Sequence, residues 1–301
     1  MTDAADWIAV DWGTSNLRAW AMGPDHVPIA EASSGAGMNT LARDGFEPAL
    51  LDLVGPWLRP AGPTTIVACG MVGARQGWIE APYAAAPCAP LHADAMVRAP
   101  SADPRLAVHI VPGVSQAAPP DVMRGEETQI AGFLADRPRF DGVLCLPGTH
   151  TKWVHVSAGE IVSFSTFMTG EVFALLAGSS VLRHSVGSDE WSEPDFAEAV
   201  EDAMARPEKF ASRLFGLRAA SLLENLRPER ARARLSGLLI GLELAGSKPY
   251  WLGREVALIG DAALARTYRA GLALNGLEAE PQDATAMTLS GLVAAMFALP
   301  A

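Results

Sequence analysis

The chain is short of the features that most readily announce a function. Its three cysteines (Cys69, Cys88, Cys145) are odd in number and show no CxxC spacing. Cys69 and Cys145 lie in apolar runs and read as buried thiols of a reducing compartment rather than parts of a disulfide framework. Positive charge is scarce: 23 Lys and Arg face 34 Asp and Glu, for a net charge of −11. That balance argues against nucleic acid or an anionic membrane as the main partner. No apolar stretch approaches the roughly 18 residues of a membrane span. The acidic start, Met-Thr-Asp-Ala-Ala-Asp, has no apolar signal region, so the expected location is cytoplasmic. Six scattered histidines form no metal-ligand cluster. The P-loop pattern G-x-x-x-x-G-K-S/T is absent, no G-x-G-x-x-G follows a strand, and HExxH, the protein-kinase signatures and the GxSxG elbow are missing too.

What the chain has instead is one short statement made twice. Ile8-Ala9-Val10-Asp11-Trp12-Gly13-Thr14-Ser15-Asn16-Leu17-Arg18-Ala19-Trp20 reads as an apolar strand, a Gly-Thr turn and a returning strand. Val143-Leu144-Cys145-Leu146-Pro147-Gly148-Thr149-His150-Thr151-Lys152-Trp153-Val154 repeats that layout. In each turn a glycine lets the backbone approach a ligand. Successive N–H groups, hydroxyls and a following cation (Arg18, Lys152) are suited to phosphate oxygens. Either turn alone would read as an ordinary surface hairpin; the pairing, with Asp11 added to the first, points to a nucleotide site gripped from both sides.

A length of 301 residues exceeds the usual single domain, and with half its residues hydrophobic it has ample core for two. Apolar periodicity predicts strands at about 7–12, 16–22 and 27–33, a helix over 45–58 and a buried strand at 65–69. Residues 70–121, rich in Gly, Pro and Ala, read as ordered loops and short strands. A helix is expected over 123–135, then strands at 142–147, 151–157 and 160–167, and irregular helix over 170–230. The series closes with a helix at 231–246, a strand at 255–259, and helices at 262–274 and 283–298. Similar α/β halves with a ligand between them are the pattern of the actin-like ATPase fold. The expected fold class is therefore α/β: two duplicated actin-like ATPase (ribonuclease H-like) domains, mixed sheets flanked by helices, with a cleft between them. The expected domains are 1–121 and 122–301, the last helix being a candidate to pack back on the first.

Several residues are candidates for chemistry. Asp11 ends an apolar strand, where a carboxylate is costly unless satisfied; it reads either as a Mg²⁺ holder facing a cleft or as a turn-initiating Asp bonding its own backbone. Thr149, His150 and Thr151 supply donors in the second turn. Glu126 and Glu127 open a helix and flank its apolar stripe of Met123, Ile130, Phe133 and Leu134, so one of them could accept a proton from an attacking hydroxyl. Acidic residues also favour the first turn of any helix through its dipole. The loop Cys69–Tyr83 carries Arg75, Gln76, Trp78 and Tyr83, which suit a small polyhydroxylated acid: Arg clamps a carboxylate, Gln reads hydroxyls, and aromatic rings pack the carbons. A packed surface loop is the competing reading. Gly260-Asp261 follows a buried strand and opens a helix, where a base or ribose would rest and where Asp261 can cap.

Taken in order, these motifs resemble those of the 2-dehydro-3-deoxygalactonokinases, sugar-acid kinases of the actin-like ATPase superfamily. The resemblance rests on Asp11–Arg18, on Gly70–Trp78 with Glu80–Tyr83, on Met123–Gln129, Leu146–Trp153 and Thr166–Phe173, and on Ser236–Gly241 with Ile259–Asp261. It implies ATP-dependent phosphorylation of the small-molecule sugar acid 2-dehydro-3-deoxy-D-galactonate at its 6-hydroxyl, with Mg²⁺ near Asp11. It assigns Gly13, Thr14, Ser15 and Arg18 to a first phosphate motif and Gly148, Thr149, His150, Thr151 and Lys152 to a second. Gly260 and Asp261 fall in the adenosine motif, and Arg75 is the expected clamp for the acid's carboxylate. Many superfamily sugar kinases carry a catalytic Asp in the second phosphate motif; here that stretch is Leu-Pro-Gly-Thr-His-Thr. The base then falls to the Glu126/Glu127 pair, which resembles the Gly-x-Glu-Glu helix of exopolyphosphatases, and Glu127, which matches its second Glu, is the expected base. An exopolyphosphatase or guanosine-pentaphosphatase-like phosphohydrolase and a non-catalytic nucleotide-switched regulator are the alternatives. The sequence leaves open the epimer of the keto acid and whether the chain forms a homo-oligomer.

Overall fold

A computed structural model describes residues 4–299. Along its first part run β1 (Trp7–Trp12), β2 (Leu17–Met22), β3 (Pro28–Ser34), α1 (Phe46–Val54), β4 (Thr64–Gly70), β5 (Tyr83–Ala85), β6 (Val97–Arg98), β7 (Leu106–Ile110), β8 (Gly113–Ala117), β9 (Pro120–Met123) and α2 (Glu126–Asp136). There follow β10 (Gly142–Leu146), β11 (Thr151–Ser157), β12 (Glu160–Phe167), α3 (Thr169–Ser179), α4 (Glu193–Ala205), α5 (Phe210–Leu223), α6 (Pro228–Gly246), α7 (Lys248–Trp251), β13 (Val256–Gly260), α8 (Ala262–Ala273), β14 (Ala279–Asp283) and α9 (Ala284–Ala298). Contacts group the chain into two compact units. One comprises Met1–Phe140, Ser157–Ser163 and Ala284–Ala301; the other comprises Asp141–Val156 and Phe164–Asp283.

The two main sheets share one strand order. The first reads β3-β2-β1-β4-β7-β6 and the second β12-β11-β10-β13-β14. In each, the opening hairpin is antiparallel and the next two neighbours are parallel: β1 with β4 and β4 with β7, β10 with β13 and β13 with β14. This is the duplicated α/β architecture of the actin-like ATPase fold.

The alternation of β1 explains its sequence. Ile8, Val10 and Trp12 enter one core with Phe46, Leu50 and Val54 of α1, while Trp7 and Ala9 enter another with Leu292 and Ala295 of α9. A strand buried on both faces reads as a nearly continuous apolar run, and the single break in this one is Asp11, on the face that packs against α9. α2 lies along α9, with Gln129 Nε2 donating to Thr288 Oγ1 at 3.2 Å. The sequence boundary at 121/122 follows a change in composition, whereas grouping by contacts follows this helix pair and keeps α2 with the first unit.

One strand escaped the sequence pattern: β14 is Ala-Glu-Pro-Gln-Asp, a polar sheet-edge strand, whereas β7 falls in the 70–121 stretch expected to hold short strands. The expected helix at 123–135 starts instead at Glu126 because β9 runs to Met123 and Gly125 has φ +109°.

Candidate active site

In the first unit the strand register builds an acid cluster. Asp11 pairs across β1 with Arg18 on one side and Cys69 on the other. Gly70, at φ +89°, ends β4 so close to the first strand that a Cβ there would lie 2.7 Å from the Trp12 carbonyl oxygen; one on Gly125 would lie 3.3 Å from the Gly70 Cα. These glycines let the start of α2 come down on the ends of β1 and β4.

Burial, with the Glu126 charge, therefore pushes the Asp11 carboxyl up, and Arg18 only partly offsets them. Glu127 is fully buried. It accepts the Gly125 N–H at 2.9 and 2.7 Å and the Thr128 hydroxyl at 3.2 Å, yet burial and Glu126 raise its pKa to about 7. Glu126 is part-buried and accepts the Arg124 N–H at 3.0 Å. Cys69 is buried beside both Asp11 and Glu127, and its thiol is held well up. The structure thus brings Asp11, Glu126 and Glu127 together.

The first turn leaves Thr14 and Ser15 exposed, its backbone fixed by Gly13 N–H to Asn16 O at 2.9 Å and by Met38 N–H to Gly13 O at 3.0 Å. Arg18 is exposed, with Nη1 3.5 Å from Thr285 Oγ1.

The loop 70–83 behaves unevenly. Arg75 is exposed and pairs with Glu80 at 3.3 Å; Gln76 and Tyr83 are exposed too. Trp78 is not: it is 4% exposed and packs on Trp12 and Phe46, so it supports the loop from within the core instead of presenting a ring to ligand. Arg124, which sequence reasoning passed over, is buried against this loop. Its Nη2 donates to Ala81 O at 2.8 Å and its guanidinium lies 4.3 Å over the Tyr83 ring, while Nε and Nη1 find no acceptor among the described residues.

The second turn sits on a different foundation. Thr149 and His150 are exposed, and His150 Nε2 meets Glu171 Oε2 at 2.5 Å. Gly148 lies against the start of α3, where a Cβ on Gly170 would run into the Gly148 carbonyl. Thr151 and Lys152 are buried, and the Thr151 hydroxyl lies 2.8 Å from Tyr268 Oη.

Beside this turn is a pocket of about 260 Å³ bounded by Gly148, Thr169, Gly170, Ser236, Thr267 and Tyr268, with Phe173, Trp191, Leu239 and Ile240 supplying apolar wall. That is close to the lower end of the ~300–1,000 Å³ typical of small-ligand pockets. Asp261 caps α8 as expected, accepting from Ala263 N at 2.9 Å and Leu264 N at 3.4 Å. Apart from Gly148 and Trp191, the residues around the pocket come from α3, α6 and α8. Their signal was faint, since Ser236 and Thr267 are single polar residues in helices.

Duplicated domains of this fold, each opening on a Gly-Thr hairpin, with an acid cluster in one and a pocket of about 260 Å³ in the other, fit a phosphotransferase of the actin-like ATPase class. A family model described as 2-keto-3-deoxy-galactonokinase matches residues 11–295, and the chain belongs to that family. It is 39% identical over 306 residues to a Rhizobium meliloti (strain 1021) protein named as a probable 2-dehydro-3-deoxygalactonokinase, covering 99% of each chain. It is 34% identical over 270 residues to the 2-dehydro-3-deoxygalactonokinase of Escherichia coli (strain K12), covering 88% of each. A crystal structure from Sinorhizobium meliloti, described as that of a 2-dehydro-3-deoxygalactonokinase protein, superposes with a TM-score of 0.90 at 39% identity, over 97% of this chain and 98% of that one. A component of (R)-2-hydroxyglutaryl-CoA dehydratase from Acidaminococcus fermentans, at 11% identity and a TM-score of 0.53, shares the fold alone.

Proposed function

We propose that this chain is a kinase that transfers the γ-phosphoryl group of ATP to the 6-hydroxyl of 2-dehydro-3-deoxy-D-galactonate, with Mg²⁺, in the cytoplasm. The observation that carries the reading is the family match over residues 11–295, which includes both Gly-Thr turns and the acid cluster.

The residues present fit the groups this reaction needs. The Glu126 charge adds to the burial that raises the cost of ionising Asp11, and Arg18 opposes both; a hard carboxylate oxygen in that situation suits a divalent cation. No group of three or more His, Cys, Asp or Glu able to hold a metal occurs among the described residues, so Asp11 would share the ion with phosphate and water oxygens. Bound there, Mg²⁺ would neutralise charge on the phosphoryl oxygens. Thr14 and Ser15 in one turn, and the backbone of Gly148–His150 in the other, offer the phosphate contacts, and the pocket by Gly148 takes the nucleoside.

The carboxylate pair divides the remaining work. Glu127 has no exposed surface and is fixed by Gly125 and Thr128, so it positions the start of α2 and adds negative field. Glu126, part-buried and next to Asp11, rather than the expected Glu127, would take the acceptor's proton. Arg75, Gln76 and Tyr83 present the polar and aromatic surface for the sugar acid.

The test is ATP consumption against a panel of 2-keto-3-deoxy acids. Acceptor-dependent turnover on the galactonate-derived acid is expected. ATP or polyphosphate hydrolysis that ignores every acceptor would overturn the assignment.

A further inference from the structure

Glu243 is a carboxylate that neither the fold nor the proposed reaction has so far used. It lies on α6, 2% exposed, outside the pocket lining. Four donors converge on it. Trp153 Nε1 donates to Oε1 at 2.8 Å and Tyr268 Oη to Oε2 at 2.8 Å, and the hydroxyls of Thr151 and Thr169 add bonds to the same group. Tyr268 Oη also lies 2.8 Å from Thr151 Oγ1.

The donors come from the three elements that shape the nucleotide site. Thr151 and Trp153 occupy one face of β11, the strand leaving the second Gly-Thr turn. Thr169 opens α3, and Tyr268 stands on α8; both of these residues line the pocket. Because the Tyr268 hydroxyl donates to Glu243, its contact with Thr151 has Thr151 as the donor, and this chain fixes the rotamers of Thr151 and Tyr268 before any ligand arrives.

We infer that Glu243 is a positioning residue for nucleotide binding, holding the Thr151 end of the second phosphate turn in register with the pocket wall through Tyr268. This rests on reading the pocket beside Gly148 as the nucleoside site. The device predicts a separation within one ligand series: loosening the relay harms contacts to phosphate and spares contacts to the nucleoside. A side chain that merely stabilised the unit would not change that ratio.

The experiment measures affinities of the full-length chain for adenosine, ADP and a non-hydrolysable ATP analogue by calorimetry. Tyr268→Phe keeps the ring in the wall and removes only the hydroxyl. It should weaken ADP and the ATP analogue about tenfold while moving adenosine less than about twofold, in line with the loss of one buried hydrogen bond. Glu243→Gln places an amide N–H₂ among donors and should act in the same sense, with Tyr268→Phe carrying the test should that variant fail to fold. Thr151→Val combined with Tyr268→Phe should be no worse than either alone, since both break one relay. Ser236→Tyr, which fills the pocket, should abolish binding of all three ligands.

If Ser236→Tyr keeps wild-type affinity, the pocket reading fails and this inference with it. If Ser236→Tyr abolishes binding but Tyr268→Phe leaves the ADP-to-adenosine ratio unchanged, the pocket stands and the positioning role of Glu243 is overturned.

Discussion

Glu127 in the first unit and Glu243 in the second are both buried carboxylates raised to about 7, and the company each keeps is different. Glu127 is satisfied by a backbone N–H and one hydroxyl and stands beside Glu126 and near Asp11, so like charges are gathered on that side. Glu243 has side-chain donors from three directions, and the buried groups whose charge couples to it are the neutral thiol of Cys145 and phenol of Tyr268. One sheet, used twice, has thus been furnished for opposite ends. A cluster of anions has electrostatic energy to release when a cation and a proton donor arrive; a ring of donors around a single carboxyl holds geometry. The first arrangement suits a place where charge changes during reaction, and the second a place that must stay fixed.

The sharpest way to break this contrast is Glu126→Gln. If the first unit holds the chemistry, kcat should fall roughly 10²–10⁴-fold with KM for ATP nearly unchanged; a near-normal kcat in steady-state assays would remove the base from this pair. Next in size is Asp11→Asn, expected to raise the Mg²⁺ concentration for half-maximal activity by about 10–100-fold. An unchanged Mg²⁺ titration would return Asp11 to a turn-forming role. Arg75→Ala tests the loop between them. Its guanidinium is exposed, so solvent screens it and the rise in KM for the keto acid should be modest, about tenfold or less, with KM for ATP spared.

The smallest effect concerns the second unit and pH. The folded state favours the neutral form of Glu243, so between the ordinary value of 4.5 and about 7 it binds more protons than the unfolded chain. Stability contributed by this group is therefore present at low pH and is lost as pH rises through that window, by on the order of 3 kcal/mol. His109 and His155, both pushed down by burial, act in the opposite sense below their ordinary value of 6.5. Asp195, pushed to about 2 despite its own burial by bonds from Arg230, Ser192 and Arg234, matters only below about pH 4. The readout is accordingly the difference in Tm between wild type and Glu243→Gln, which should narrow from pH 5 to pH 8. A constant difference would show that the carboxyl does not titrate there.

Much of this was legible in the chain because it is local. An apolar run ending in Asp11-Trp12-Gly13-Thr14, and its echo at Gly148-Thr149, name a strand, a turn and a donor set without reference to anything distant. Asp261 before a helix names its own cap. What was not legible has physical causes that can be pointed to. Trp78 looked like a ligand platform because aromatic residues in glycine-rich loops often are, and only packing put it on Phe46. β14 carries too little apolar character to announce a strand. Glu243 left a trace, since it falls four residues after Leu239 on the apolar stripe of α6, and a charge on a buried stripe is a question in itself. Its answer lies in Tyr268, Trp153 and Thr169, which no spacing connects.

The amino-acid order alone settled the duplicated α/β plan, the two glycine–threonine hairpins and the family, since these depend on periodicity and on contiguous motifs. Tertiary structure alone decided which carboxylate is sealed and which is reachable, and which hydroxyls are already engaged. Burial and partnership are properties of surfaces that meet from distant parts of the chain, and ionisation follows them rather than residue type.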